Sequence, residues 1–441
     1  MDHMTRRARL VGCLGDERGV ALVMAILALL ILSVLVIGFS TLASTEPTIA
    51  SNQLRVAQAR ALAESGLERA VWALSAGKAA AKAAVDPPTG AIIYQLVAAT
   101  AGAPYDGGQL LGLSTGGAAI GGFRVTVAQA NATDPHQVSA DSFGWVPTDD
   151  TADAHTKAHQ RIQAILMDFP DLTKMPCAVC VRGDIQIGGT STIDARPDTS
   201  CGAKYGTWST TVKDSAGNTI SPGNTTLGSG SPRVYGAVDG NGTPNQSTDM
   251  AKYQNQADFD RNKLTDSSLD FLRTYAKSQG TYYQGTSSAP TVTFSSANLL
   301  PDCPPNGCIV FVDTVSGTDI VPGTTAPSDY ASVTVSGAAS ANPTGFKGWL
   351  VVNGSLSING SFSMQGLVYA VNDISYVGTG GQIRGQMISA NVLDTIATVI
   401  DTSLSGAASL QYNCGATTNP IVGVAPAGYI VKAGSYRETP D

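Results

Sequence analysis

Six cysteines after residue 170 of this 441-residue chain are the residues best suited to specific chemistry: Cys177, Cys180, Cys201, Cys303, Cys308 and Cys414. Two chemistries compete for them. Cys177-Ala178-Val179-Cys180 has the spacing of a zinc or redox pair, whereas an even count outside the cytoplasm suits three disulfides. The Cys-x-x-Cys lies in a strand-like stretch, not at a helix N-terminus that would acidify a redox thiol. Disulfides are therefore expected, with the partners open among the fifteen pairings that six cysteines allow. A seventh cysteine, Cys13, stands apart near the N-terminus.

Other candidates resolve into simpler readings. His155 and His159 are four apart and would share a face of a helix or strand, but Thr156 takes the place of the glutamate in a His-Glu-x-x-His zinc motif. Asp239-Gly240-Asn241-Gly242 begins like a calcium loop, yet Met250 stands where the closing glutamate would be. Asp149-Asp150 reads as solvated loop. No Gly-x-Ser-x-Gly elbow, phosphate loop or ordered Ser/His/Asp set is present, so neither enzymatic activity nor a cofactor is expected. The net charge of −7 gives no reason to expect nucleic acid as a partner.

What must position these residues begins at the N-terminus. From Val20 to Ala43 the chain runs for 24 residues without a charge, and only Ser33, Ser40 and Thr41 are polar. Such a run spans the roughly 30 Å hydrocarbon core as a helix. Arg6, Arg7, Arg9 and Arg18 precede it and no Lys or Arg follows until Arg55, which predicts a cytoplasmic N-terminus and an extracytoplasmic remainder. A secretory signal peptide is also basic then apolar, but its core is only about 7–15 residues long. Helical spacing continues to about Leu74 through Leu54, Ala57 and Ala61, with Pro47 as an expected kink. The whole would be a rod on the order of 80 Å long, far more than a bilayer requires.

Glu17-Arg18-Gly19 followed by Val20-Ala21-Leu22-Val23, and then Asn52-Gln53-Leu54-Arg55 through Glu64-Ser65-Gly66-Leu67-Glu68-Arg69-Ala70, resembles the N-terminal region of PilX-type pilus assembly proteins, which are type IV minor pilins. The resemblance implies cleavage between Gly19 and Val20 by a prepilin peptidase, methylation of the new amine, loss of Cys13 with the leader, and retention of the apolar helix as an assembly stalk. It departs from the family at Met24, where most pilins carry a glutamate that pairs with a neighbour's α-amine. That departure suits a tip or initiating subunit, as in the tip pseudopilin of type II secretion systems, or a subunit drawn in by other contacts.

Beyond the stalk, 48 glycines and only 14% charged residues suggest a β-rich extracytoplasmic protein. Gly122–Ala128 and Ala158–Met167 alternate as antiparallel strands of a small sheet packed on the stalk, with Asp134 to Asp153 as a polar loop and Asp86-Pro87-Pro88-Thr89-Gly90 as a breaker. A pattern of short β runs begins at Cys177 and returns at Gly348, Gly366 and Gly385, at intervals of 18 and 19 residues. That period suits a parallel β-solenoid, with an antiparallel sandwich as the alternative. Leu356, Ile358 and Phe362 would point inward and Ser355, Ser357 and Ser361 outward. Thr207 to Asn245 reads as loop and Thr265–Lys277 as a short helix capped by Thr265 or Asp266.

The fold expected is α+β: a leader at 1–19, a stalk helix at 20–75, a small strand region at 76–170, and a solenoid-like head at 171–441 with an insertion at about 196–345. The function expected is that of a minor pilin or pilus assembly protein, single-pass in the inner membrane and then in the pilus. Its partners would be other pilins through the helix, the prepilin peptidase, the inner membrane, and a tip adhesin or surface ligand. The competing readings are a type II secretion-like minor pseudopilin, a membrane-anchored β-helix adhesin and a glycan-active protein.

Overall fold

The computed structural model describes residues 17–75, 92–96, 113–115, 118–130, 137–148, 157–214, 216–321, 324–337, 339–340, 342, 345–392, 400–418, 428–432 and 434–439. The class is α+β: one long N-terminal helix, then a head that is mostly strand. Helix α1 (Glu17–Ser75) has 59 residues, a length of about 90 Å at the α-helical rise. Pro47 lies inside it without ending it. The breaker expected at Asp86–Gly90 falls outside the described residues.

The C-terminal third of α1 packs on an antiparallel sheet. Its strands are β1 (Ile92–Leu96), β2 (Leu113–Thr115), β3 (Ala118–Gln129), β4 (Gln137–Val146) and β5 (Ala158–Phe169). The order β1-β3-β4-β5 continues into strands from the far C-terminus. The expected loop at Asp134–Asp153 is therefore corrected in part, because β4 occupies the middle of it. Val138, Ala140 and Ser142 alternate inward as a strand requires, but they are small or polar, because the helix lies close against them. Ser142 donates to the carbonyl of Ala63 at 2.6 Å.

The rest of the strands coil into a parallel solenoid. The first turn is β6 (Cys177–Val181), β7 (Ile185–Gly189) and β8 (Thr192–Asp194). The chain then builds outward through β9 (Tyr205–Lys213), β10 (Thr219–Ser221), β11 (Thr225–Gly230), β12 (Arg233–Tyr235) and β13 (Met250–Asn255). β9, β11 and β12 lie parallel on β6, β7 and β8, and β13 lies on β9. Two corrections follow: Thr207–Asn245 is not a loop, and the insertion expected at 196–345 is itself made of coil turns.

From β13 the chain crosses to the other end of the coil through α2 (Gln256–Asp260) and α3 (Asp266–Gln279). Thr265 caps α3 by accepting from the Ser268 amide at 3.2 Å, and Gly280 closes it in the left-handed conformation at φ 70°. The chain then winds back through β14 (Tyr282–Gln284), β15 (Thr291–Phe294), β16 (Cys308–Asp313), β17 (Ala331–Ser336), β18 (Phe346–Val352), β19 (Gly354–Gly360), β20 (Met364–Ala370), β21 (Ile374–Ser389) and β22 (Thr402–Gln411). The last turn seats on the other side of the first: β21 pairs with β6, and β22 with β7 and β8. The chain thus enters the coil in its middle.

After the coil come α4 (Cys414–Thr417), β23 (Gly428–Val431) and β24 (Arg437–Thr439). Both strands pair antiparallel with β5, so the chain returns to the stalk sheet. The expectation that 171–441 forms the head alone is corrected accordingly. The solenoid is an insertion within the sheet that holds the stalk.

Two kinds of strand build the coil. On one face β16, β18 and β20 are apolar on both sides: Val310, Leu350 and Val368 fill the interior, while Phe311, Trp349 and Tyr369 form a second core outside it. Phe259, Leu269 and Leu272 of the connecting helices cover that second core, and Phe169 at the end of β5 stacks on Trp349 at 6.2 Å. On the next face β17, β19 and β22 alternate, with Val333, Leu356 and Leu404 inward and Ser332, Ser357 and Ser403 outward. Continuous apolar runs and alternating runs are what burial on two sides and on one side select.

The repeating glycines have a steric cause. Cys308, Gly348, Gly366 and Gly385 stand in register on successive strands. Gly366 adopts φ 148°, and a Cβ there would lie 1.7 Å from the carbonyl oxygen of Gly348. Gly366→Ala should therefore destabilise the head by more than about 2 kcal/mol, read as a lowered midpoint in thermal or urea unfolding.

Candidate functional site

Apolar residues of α1 divide it into two lengths. From Leu22 to Leu42 every large apolar side chain is exposed, and none of the described residues covers them. The helix is long and apolar enough to cross a membrane, with a mean hydropathy of 3.1 over its most apolar 18 residues. From Ala59 onward one face is buried at Ala59, Leu62, Ala63, Leu67, Ala70, Ala73 and Leu74, three or four residues apart as a helix requires. Each of the three leucines contributes about 1.5–3 kcal/mol by leaving water. A single helix therefore has a free half and a half fixed to the head.

Small residues bring the fixed half close to its sheet. A Cβ on Gly66 would meet the Ser142 hydroxyl at 2.2 Å, and one on Gly144 would lie 2.2 Å from the Ala59 carbonyl oxygen. The C-terminal strands add polar contacts at the rim. Arg60 bonds Glu64 at 3.1 Å and Glu438 at 2.6 Å, and the Tyr436 hydroxyl donates to Glu64 at 3.2 Å. These ties are exposed and weak singly. Arg60 and Glu64, four apart on a helix, are readable as a pair from the sequence; the contribution of Tyr436 and Glu438 is not, because it depends on the chain's return.

Gly19 and Val20 lie in the first turn of α1, and Met24 is 65% exposed on the free half. The six head cysteines form Cys177–Cys180, Cys201–Cys414 and Cys303–Cys308. Cys201–Cys414 ties the loop after the first coil turn to the chain leaving the last, across a separation of 213 residues. Cys13, Asp149, Asp150 and His155 lie outside the described residues. His159 sits on β5 with its ring 5.2 Å from Phe143. The Asp239 carboxylate accepts from the Asn241 amide at 3.1 Å and from the Thr248 hydroxyl, so it closes its own turn. Among the described residues no three His, Cys, Asp or Glu side chains gather as a metal site.

A buried ion pair that the sequence did not suggest holds the connecting helix to the coil. Arg273 of α3 bonds Asp313 at 2.6 Å and Asp319 at 2.7 Å, and also reaches Asp270. Asp313 is fully buried and further accepts from Asn353 at 2.9 Å and from the Tyr282 hydroxyl at 3.1 Å. Burial works against the Arg273 charge, but the bonds to Asp313 and Asp319 outweigh it and push its pKa up. Burial raises the Asp319 carboxyl, and burial together with the Asp313 charge pushes the Tyr282 hydroxyl up to about 12. Tyr282 therefore remains a donor at any physiological pH.

Comparison with known proteins places the stalk. Residues 18–68 match the PilX N-terminal family. No curated protein matches the chain. Among solved structures, the competence-associated pilin ComZ from Thermus thermophilus is similar over 88% of this chain and 98% of its own, at 12% identity and a TM-score of 0.25, a likeness too loose to carry more. The N-terminal part of the chain is thus similar to the N-terminal region of PilX proteins.

Two substitutions test the ties within the head. Asp313→Ala leaves Arg273 buried without its main partner and should cost about 3–5 kcal/mol in chemical unfolding. Cys201→Ser with Cys414→Ser should cost about 5 kcal/mol on the loop-closure account, and reduction of the wild-type protein, which opens all three disulfides, should cost at least as much.

Proposed function

We propose that the chain is a minor pilin of a type IV pilus-like system. The observation that supports this most is the two-part helix: its N-terminal half is apolar and uncovered, and its C-terminal half is fixed to a folded head. In the membrane the free half spans the bilayer as a single anchor. In a filament the same surface packs among the stalks of neighbouring pilins, exchanging lipid contacts for helix contacts without re-exposing apolar area to water.

In this reading a prepilin peptidase removes residues 1–19 at the cytoplasmic face, and Val20 becomes the methylated N-terminus. The head faces the periplasm, where its three disulfides form, and is later displayed at the cell surface. Met24 gives the subunit a defined place. A carboxylate at this depth is costly unless paired, so most positions in a stalk bundle call for one that meets a neighbour's amine. A subunit without it has no need of a subunit ahead of it, and on this reading it sits at the tip. A type II secretion-like minor pseudopilin shares that logic and is the second reading.

Fractionation of cells into membranes and sheared filaments tests the proposal. The head should appear in the filament fraction, and in few copies per filament. Its confinement to membranes would leave a membrane-anchored adhesin that never polymerises. Met24→Glu should move the protein from the filament end into the shaft, read by immunogold position; an unchanged position would remove the meaning given to Met24.

A further inference from the structure

We propose that the open face of the solenoid is a docking surface for an extended, uncharged polysaccharide. The face is built from seven parallel strands: β15, β17, β19, β21, β22, β7 and β11. Thr293, Thr334, Ser357, Ser375 and Ser403 stand in register on the first five, and Gln186 and Thr226 continue the row. Ser332 with Ser355, and Ser336 with Asn359, form parallel rows on either side. At the spacing of neighbouring strands the central row is about 30 Å long.

The chemistry of this face selects its occupant. In the rows that form this face no outward strand position carries a charge: Arg384 lies on the far part of β21, beyond the bend, and the nearest charges are the carboxylates of Asp373 and Asp401 at one edge, so an acidic polymer, a nucleic acid or an anionic membrane finds no counter-charge here. Short side chains and the absence of an exposed aromatic deny a protein partner the anchors that dominate protein interfaces. A hydroxyl both donates and accepts, and a row of hydroxyls complements a polymer that is itself a row of hydroxyls. The repeat of one ring in an extended β-linked glycan is close to the strand spacing. A chain laid along the coil axis therefore offers one ring to each strand.

Position in the fold agrees. The neighbouring, two-sided face is closed by α2, α3 and the end of β5, whereas none of these covers the open face. Without a stacking aromatic each ring contributes little, and binding depends on many rings held at once. The ligand is thus a long or insoluble polymer, not a short oligosaccharide.

The test is cosedimentation of the full chain, in detergent micelles, with microcrystalline cellulose and with chitin, against granular starch, whose α-linked chains curve. The chain should sediment with one or both β-linked polymers, remain bound in molar salt, and ignore starch and short oligosaccharides. The double variant Ser375→Glu with Ser403→Glu should lower the bound fraction about tenfold at an unchanged unfolding midpoint; Ser357→Lys serves if that variant fails to fold. No retention on either β-linked polymer, equal retention by the folded variant, or retention on starch alone would overturn the proposal. So would a wild-type dimer that the variant abolishes without any polymer binding, which would give the face to a second copy. The inference stands on the head: a chain that binds polymer but stays in membranes contradicts the filament reading and leaves this one intact.

Discussion

A strand with apolar residues on both sides must be covered twice, and that constraint organises the head. In β16, β18 and β20 alternate residues fill the interior of the coil, so Ile309, Phe311, Trp349, Val351, Leu367 and Tyr369 are left on the outside. Exposed, they would form an apolar patch larger than soluble proteins tolerate. The helical connection from β13 to β14 runs across this surface and buries it, with Arg273 fixing α3 against Asp313. The end of β5 closes the remainder through Phe169. One requirement therefore accounts for the connecting helices, their position and the attachment of the coil to the stalk sheet.

The attachment is unusual in its wiring. The chain leaves the stalk sheet at Phe169, completes the coil, and returns to the same strand, β5, through β23 and β24. Entering a coil in its middle obliges the chain to cross its full length once, which α2 and α3 accomplish. The head is then held to the stalk by two passages of chain, and Cys201–Cys414 joins the segment near its first turn to the segment leaving its last. No single strand therefore carries the connection between head and stalk.

The sequence showed most clearly what repeats. The charge-free run after Gly19 predicted the helix, and Gly348, Gly366 and Gly385 revealed the coil because each must let the neighbouring backbone approach. Ser355 and Ser357 against Leu356 and Ile358 gave the facing. The turns between Tyr205 and Tyr235 were hidden for the opposite reason: Thr207, Ser209 and Thr210 are buried polar residues, so the pattern resembled loop. β4 was hidden because Ala140, Ser142 and Gly144 are small where a helix lies close. The return of Tyr429 to Thr439 to the stalk sheet, and the pairing of Arg273 with Asp313, depend on long-range topology that no local pattern encodes.

The division of α1 into a covered and an uncovered part is what the assembly proposal rests on, since none of the described residues of the head covers the N-terminal part. On the pilin proposal, processing at Gly19 would convert that part from a bilayer anchor into a member of a bundle of like helices. The mass of the N-terminal peptide, measured on protein recovered from cell envelopes, tests this most directly. A chain that begins at Val20 with a methylated amine is expected. An intact Met1, or a chain beginning near Ala43, would contradict it.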